Sequence, residues 1–186
     1  MRIGLVYDAV FPYVKGGAEK RYHEIAKRLS RRHEVHLFGM KYWPGPPIKA
    51  DGAGRILHGV CTARELYVNG KRTISQPLHF AASLLPHLFG EKLDIVDCTS
   101  FPYFPMFTCK LYSLRRQVPL VATWLEYWGN YWFEYIGWKG GFGRAIERSA
   151  ARLPDRIVAI SALTRNGLLD TGVDRTRTSI IPLGID

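Results

Sequence analysis

The stretch that decides the fold is residues 3–38, IGLVYDAVFPYVKGGAEKRYHEIAKRLSRRHEVHLF. It opens with a short apolar run, residues 3–7, which is typical of a buried parallel strand. A loop containing Gly16 and Gly17 follows, and beyond it apolar residues recur at the spacing of one helix face. Residues 35–38 form a second apolar run. Strand, glycine loop, helix and strand in this order predict a right-handed βαβ unit.

The same alternation continues to the end of the chain. Further strands are predicted at residues 56–60, 94–98, 119–123, 156–160 and 179–182. Further helices are predicted at 78–89, 104–114, 143–153 and 161–169, the last with Ser161 as its N-cap. The Asn69-Gly70 pair predicts a small hairpin insertion between residues 65–68 and 72–74. Strands separated by helices predict an α/β protein with a Rossmann-like, doubly wound, mostly parallel sheet.

Length and composition fit one globular domain or one lobe of a larger enzyme, because the chain has 186 residues and is 47% hydrophobic. Its three cysteines, Cys61, Cys98 and Cys109, show no CxxC spacing, and the apolar, strand-like contexts of Cys61 and Cys98 predict reduced core thiols. The first apolar run is too short for a signal peptide, and no stretch approaches the ~20 apolar residues of a membrane span. We therefore expect a cytoplasmic protein, with peripheral contact to an anionic membrane as a further expectation.

The formal net charge of +10 calls for an explanation. Arginines are paired at residues 31–32 and 115–116, and Arg144, Arg148 and Arg152 recur at helical spacing. Such a pattern is explained as well by solvated helix faces as by binding of an anionic partner. The candidate partners are an anionic membrane surface, a phosphorylated ligand or a nucleic acid. Charge alone does not choose among them.

The first strand is followed by Asp8, Lys15, Gly16 and Gly17, where ligands of doubly wound sheets bind. Two glycines before a helix let the backbone approach a ligand, and the positive end of the helix favours phosphate. Lys15 adds positive charge beside them. The alternative is that Gly16 and Gly17 only form a tight strand-to-helix turn.

A second informative stretch is residues 123–132, TWLEYWGNYW, which follows the predicted strand at 119–123. Aromatic faces interspersed with carboxylate and amide groups suit stacking on sugars and hydrogen bonding to them. They also suit a membrane interface, a cap on the core or packing between domains. Trp124, Glu126 and Tyr127 are the candidate ligand-facing residues, with Glu126 the carboxylate best placed to meet a ligand.

Other chemistries lack their motifs. Neither G-x-G-x-x-G nor G-x-x-x-x-G-K-[ST] is present, and the second strand ends without an acidic residue for a ribose, which argues against dehydrogenases and P-loop ATPases. The six histidines show no metal-ligand spacing, and G-x-S-x-G is absent. We expect no protein-bound metal and no cofactor. With no nucleic-acid-binding motif, only the charge supports nucleic acid as a partner, and we expect none.

Three passages together resemble one family, the retaining, glycogen-synthase-like group 1 glycosyltransferases of GT-B fold. They are residues 1–38 with the Gly-Gly loop, the passage VATWLEYWGNYW at 121–132, and IVAISALTRNGLLDTGV at 157–173 followed by IIPLGID at 180–186. Each passage is moderately specific, and their order along the chain matches the family. The last passage is similar to the family's IIPNGID-type strand, which leads to the hinge between its two domains.

The resemblance implies one half of an enzyme. In this family two Rossmann-like domains face each other, and the amino-terminal one binds the acceptor and offers its glycine loop to the donor phosphates. Residues 1–186 would be that amino-terminal domain, ending at a hinge at Gly184 and Asp186, with the donor-binding domain absent. Gly16 and Gly17 would contact the diphosphate, while Asp8, Trp124, Glu126 and Tyr127 would form the acceptor and sugar side. Sugar transfer would proceed with retention, and this half alone would be inactive.

Two positions depart from the family pattern. Leu125 stands where many relatives have a histidine near the transferred sugar, and its side chain cannot form a hydrogen bond. Leu183 replaces the asparagine of IIPNGID. The alternative function is therefore a non-catalytic module or subunit that binds a nucleotide or a saccharide. As an enzyme, the full protein would use a nucleotide-sugar and a saccharide or a phosphorylated or lipid-linked acceptor, which the basic surface favours.

Overall fold

The structure is a computed structural model that describes residues 1–52, 54–64, 67–68, 71–73 and 75–184. The strands of these residues are β1 Arg2–Val6, β2 Glu34–Lys41, β3 Ile48–Ala50, β4 Arg55–Thr62, β5 Tyr67–Val68, β6 Lys71–Arg72, β7 Ile95–Thr99, β8 Leu120–Trp124, β9 Arg156–Ala159 and β10 Thr178–Ile180. Their α-helices are α1 Gly17–Leu29, α2 Ser75–Phe89, α3 Phe104–Arg116, α4 Tyr131–Ile136, α5 Gly140–Arg152 and α6 Ala162–Asp170. Short 3₁₀ helices cover Gly137–Lys139 and Arg175–Arg177.

Within the described residues, eight of the strands form one sheet in the order β10-β9-β8-β7-β1-β2-β4-β3. Every neighbouring pair is parallel except β3 and β4. The predicted doubly wound, mostly parallel sheet is confirmed. The chain proceeds from β1 to β2 on one side and later returns to β7 on the other. The order therefore reverses beside β1, where ligands of such sheets bind.

Helices cover both faces of the sheet. On one face, α2, α3 and α5 enclose the main core with β-strand residues such as Val6, Val96 and Ala122. On the other face, α1 packs Tyr22 and Ala26 against β1 and β2. The helical spacing of these apolar positions in α1 is what allows one helix face to be buried while the charged positions stay at the surface.

The predicted elements are present, and their ends differ by a few residues. Helix α2 begins at Ser75, before the predicted position 78, and Pro77 lies in its first turn, where a missing amide costs little. The hydroxyl of Ser161 accepts from the Thr164 amide at 3.1 Å, which confirms the predicted N-cap. Strands β5 and β6 pair antiparallel as predicted, while Asn69 and Gly70 lie outside the described residues.

Two expectations about side chains and topology can be checked directly. All three cysteines are free thiols, with Cys98 and Cys109 buried and Cys61 half-buried. None of the helices in the described part of the chain combines the length and the apolar character needed to cross a bilayer.

Candidate functional site

A cavity of about 290 Å³ opens at the carboxyl edge of the sheet, beside the point where the strand order reverses. It brings together parts of the chain that are far apart in sequence. Its lining residues are Tyr7, Ala18, Phe101, Leu125, Glu126, Trp128 and Tyr135. Ala18 of α1 and residues of the segment after β8 therefore face the same cavity, while Gly17 borders a neighbouring cavity of about 410 Å³ along α1.

The residues at the start of α1 are exposed. Gly16 is the N-cap of α1 in extended conformation, with φ −156° and ψ 173°, and glycine has no side chain with which to cap the helix. Lys15, Gly16 and Gly17 are all exposed. The first amides of a helix have no partners within the helix, and the helix dipole makes this end positive. The amides of Gly16 and Gly17 therefore lie at the surface, with the Glu19 carboxylate beside Gly16 and the Lys15 side chain next to it in sequence.

The two glycines differ in the space around them. A Cβ at Gly16 would collide with the carboxylate of Glu19, whereas a Cβ at Gly17 would meet no atom within 4 Å. Glu19 is buried and accepts a hydrogen bond from the Tyr7 hydroxyl at 3.0 Å. This bond joins α1 to the end of β1 and fixes the Tyr7 side of the cavity. A side chain at Gly16 would thus displace the Glu19 carboxylate, whereas Gly17 keeps an open surface.

The segment after β8 is held in place by one buried carboxylate. Glu147 of α5 has no exposed surface and accepts from the backbone amides of Trp128 and Gly129, each at 2.8 Å. It also accepts from the Tyr103 hydroxyl at 2.8 Å. Burial, together with the neighbouring carboxylate of Glu147, raises the pKa of Tyr103 well above its usual value, so the hydroxyl stays a donor. The backbone around Trp128 is consequently fixed by charge-assisted hydrogen bonds.

Aromatic rings form the wall opposite α1. Trp128 stacks on Phe101 with ring centroids 5.4 Å apart and planes 18° from parallel. Tyr135 of α4 meets Trp128 edge-on at 5.0 Å, and Trp132 packs behind Trp128 at 4.7 Å. A partly exposed, fixed aromatic wall beside the exposed Glu126 carboxylate suits a sugar ring, which has apolar faces and a rim of hydroxyls.

The predicted acceptor-side residues do not all reach this surface. Glu126 lines the cavity, and Tyr127 is half-buried with its ring directly over Gly167 of α6. Trp124 is completely buried, so it does not line a surface in this structure. It ends β8 on the face covered by α3 and α5, and its ring lies 6.0 Å from that of Tyr103.

Asp8 is likewise completely buried and does not face a ligand in this structure. Its carboxylate accepts from the side-chain amide of Gln76 at 3.0 Å, which links the end of β1 to α2. The charge is therefore used inside the protein, where burying an unpaired carboxylate would be costly. Trp124 and Asp8 are therefore buried structural residues near the site.

The predicted hinge lies near the first turn of α1. Gly184 is exposed and, with Leu183, borders a cavity of about 410 Å³ along α1. Arg21 of α1 donates to the Pro182 carbonyl oxygen at 3.3 Å and ties this segment to the helix. Asp186 lies outside the described residues.

Sequence reasoning missed several residues that line the cavity: Tyr7, Ala18, Phe101, Trp128 and Tyr135. Tyr7 follows β1 directly, and Phe101 comes two residues after the end of β7. The rule that ligands bind at the carboxyl ends of strands would have found both. Trp128 belonged to the predicted aromatic segment, but nothing in its spacing separated it from Trp124.

A second group of polar side chains lies at the opposite, amino-terminal edge of the sheet. Among the described residues, one group of three potential metal ligands comes together there: His36, His58 and Glu91. The Arg2 guanidinium donates to Glu91 at 2.7 Å, and the two imidazoles are hydrogen-bonded at 2.9 Å. Hydrogen bonds and an ion pair account for this group, and the absence of a bound metal stays a prediction.

Comparisons with solved structures agree with the fold. The chain is similar over its whole length to HepE from Anabaena, solved with UDP and glucose, with 17% identity, a TM-score of 0.64 and coverage of 45% of that chain. It is similar over its whole length to sucrose-phosphate synthase from Thermosynechococcus elongatus, with 12% identity, a TM-score of 0.68 and 48% coverage. Over 97% of its length it resembles UDP-N-acetylglucosamine 2-epimerase from Rickettsia bellii, with 14% identity, a TM-score of 0.57 and 44% coverage.

At these identities the structural likeness shows the fold alone, and the chain spans less than half the length of those three proteins. No curated protein sequence matches the chain significantly. The family profile described as Glycosyltransferase Family 4 matches residues 15–186, which is most of the chain and includes the α1 turn and the segment after β8. The chain therefore belongs to Glycosyltransferase Family 4, with the Rossmann-like fold of a GT-B amino-terminal half.

Proposed function

We propose that this chain is the acceptor-binding half of a retaining glycosyltransferase that moves a hexosyl group from a nucleotide-sugar to a saccharide or a phosphorylated or lipid-linked acceptor. The observation that carries this proposal is the single cavity shared by Ala18, which adjoins Gly17, and Glu126. It offers phosphate-binding and sugar-binding chemistry side by side. Family membership supports glycosyl transfer, and the HepE structures with UDP and UDP-glucose support a uridine nucleotide as a first probe.

On the donor side, the diphosphate would lie against the open first turn of α1. The amides of Gly16 and Gly17 would donate to its oxygens, and Lys15 would add charge. Gly17 leaves this surface free, because nothing lies within 4 Å of the place where a Cβ would be. No metal is needed for this contact, since amides and a lysine are the donors offered.

On the acceptor side, Trp128 and Tyr135 would stack on the sugar, and Glu126 would accept hydrogen bonds from its hydroxyls. Leu125 also lines the cavity, so apolar contact takes the place of a hydrogen bond there. Tyr127 would contact the acceptor at the edge of the cavity. Transfer itself would require a facing domain joined through the hinge at Gly184 and Asp186, so this half alone would be inactive. The full protein would act in the cytoplasm or peripherally at a membrane.

Calorimetric titration with UDP-, GDP- and ADP-sugars tests the proposal, with Gly17→Val as the variant. Valine fits the unliganded fold but projects into the phosphate position, so at least about a tenfold loss of affinity is expected. Gly141→Val is the matched control, because Gly141 is also exposed in the first turn of a helix with no atom within 4 Å. Equal binding by Gly17→Val and the unaltered chain, or no binding of any nucleotide-sugar, would contradict the assignment.

A further inference from the structure

The segment from α4 to the start of α5 exposes large apolar side chains next to the candidate site. We call these four residues the aromatic rim, with the exposed fraction of each: Tyr131 50%, Phe133 43%, Trp138 79% and Phe142 71%. They lie within 12 residues of sequence, at the carboxyl edge of the sheet. Four exposed large aromatic residues so close in sequence depart from the usual pattern of scattered single ones and indicate an interaction surface.

The aromatic rim is not needed to hold this segment together. Trp132, between Tyr131 and Phe133, is 8% exposed and supplies the packing of α4 on α5. Trp43 and Trp124 are also buried, at 3% and 0%. Trp138 differs sharply from these three tryptophans, since four-fifths of its side chain faces solvent.

Basic side chains lie beside the aromatic rim. The Lys139 ammonium lies 5.7 Å above the Trp138 ring, and Arg144 is exposed one turn further along α5. Of the two acidic residues between 131 and 152, Glu147 is completely buried and Glu134 is exposed. The surface around the rim is therefore aromatic and basic, on a chain with net charge +10.

We propose that the aromatic rim docks the protein on an anionic lipid membrane. Tryptophan and phenylalanine insert at the boundary between headgroups and acyl chains, and lysine and arginine attract anionic headgroups. Charge complementarity selects an anionic lipid surface over a neutral one. The proposal of membrane docking rests on these exposed residues and does not depend on the proposed glycosyl transfer.

The docked orientation would place the cavity at the membrane. Tyr131 of the rim meets Trp128 of the cavity edge-on at 5.2 Å, so the exposed and cavity-lining rings are continuous. A lipid-linked acceptor would then reach the cavity without leaving the bilayer surface. This last step rests on the proposed function, whereas membrane docking does not.

Vesicle flotation of this chain tests the proposal with phosphatidylcholine vesicles that contain or lack phosphatidylglycerol. We expect binding to the anionic vesicles, a blue shift of tryptophan emission on binding, and at least about a tenfold weaker affinity for Trp138→Ala/Phe142→Ala. Lys139→Glu/Arg144→Glu should weaken binding and its dependence on salt. The matched controls are Leu114→Ala/Leu163→Ala, at 65% and 84% exposure, and Arg31→Glu/Arg32→Glu.

Three results would overturn the proposal: no binding to anionic vesicles, equal binding to both kinds of vesicle, or equal loss in the rim variants and their controls. Sedimentation velocity adds a separate check. Self-association abolished by Trp138→Ala/Phe142→Ala, with no vesicle binding, would assign the rim to a second copy of this chain. Because nucleotide-sugar binding is measured without vesicles, failure of docking and failure of the proposed function are distinguishable.

Discussion

At the scale of single residues, the surroundings of His58 strongly alter its titration. It lies buried in β4, stacked on Phe38 with ring centroids 4.4 Å apart, and hydrogen-bonded to His36 at 2.9 Å. Burial, reinforced by the neighbouring His36, lowers the pKa of His58 from 6.5 to about 4. The folded protein therefore holds His58 neutral at pH values where an unfolded chain would protonate it.

This difference predicts a loss of stability in acid. The stability that the folded protein has with His58 neutral is fully present above about pH 6.5. It is lost as the pH falls towards about 4, because the unfolded chain then binds a proton at His58 that the folded protein does not. The free energy of unfolding should fall by up to about 3 kcal/mol over this range through His58 alone. Urea unfolding at a series of pH values measures it, comparing the unaltered chain with His58→Gln.

The glutamine variant keeps a hydrogen-bonding group near His36 but cannot titrate, so its stability should depend less on pH between these limits. His79→Gln is the control, because His79 is exposed on α2. Parallel pH profiles for the unaltered chain and both variants would show that His58 does not carry the effect.

At the scale of elements, the packing of α4 on α5 depends on glycines. A Cβ at Gly143 would overlap the Trp132 indole, and one at Gly140 would overlap the α4 backbone. Gly141, between them, faces solvent with no atom within 4 Å. The two helices approach each other closely on one side only, and this contact sets where the aromatic wall of the cavity stands.

The pair Gly143→Ala and Gly141→Ala tests this packing. The first should lower the free energy of unfolding by about 1–3 kcal/mol, because the added methyl group overpacks a buried contact. The second should raise it by a few tenths to about 1 kcal/mol, because alanine favours the helix and meets no neighbour. Urea unfolding of both variants measures the difference, and equal effects would mean that α4 does not press on α5 at Gly143.

At the scale of the whole molecule, the sheet could be predicted because its signals are local. Most of the parallel strands contain a short apolar run, each main helix has one apolar face, and Ser161 caps α6 as predicted. These local patterns sufficed for the βαβ units and for the mostly parallel order. The Gly16-Gly17 turn could be located for the same reason, since a helix and its dipole begin there.

Side-chain direction at the site could not be predicted from such patterns. Trp124 and Trp128 lie in one aromatic stretch, yet the first ends a strand towards the core and the second lines the cavity. The difference depends on Glu147, whose carboxylate accepts hydrogen bonds from the backbone amides of Trp128 and Gly129. Glu147 lies on α5, 19 residues after Trp128, so no local pattern reveals this contact. Helix α4 was missed because its six aromatic-rich residues show no helical spacing of polar and apolar positions.

The central claim is that the first turn of α1 and the segment after β8 form one nucleotide-sugar site. Titration of the isotope-labelled chain with UDP, followed by amide and indole chemical shifts, tests it most directly. We predict saturable shifts at Gly16, Gly17 and Ala18 and at the Trp128 indole. A separate cavity of about 350 Å³ is lined by Val10 and Arg55. Shifts confined to that cavity, shifts spread over the basic helix faces, or no shifts at all would contradict the claim.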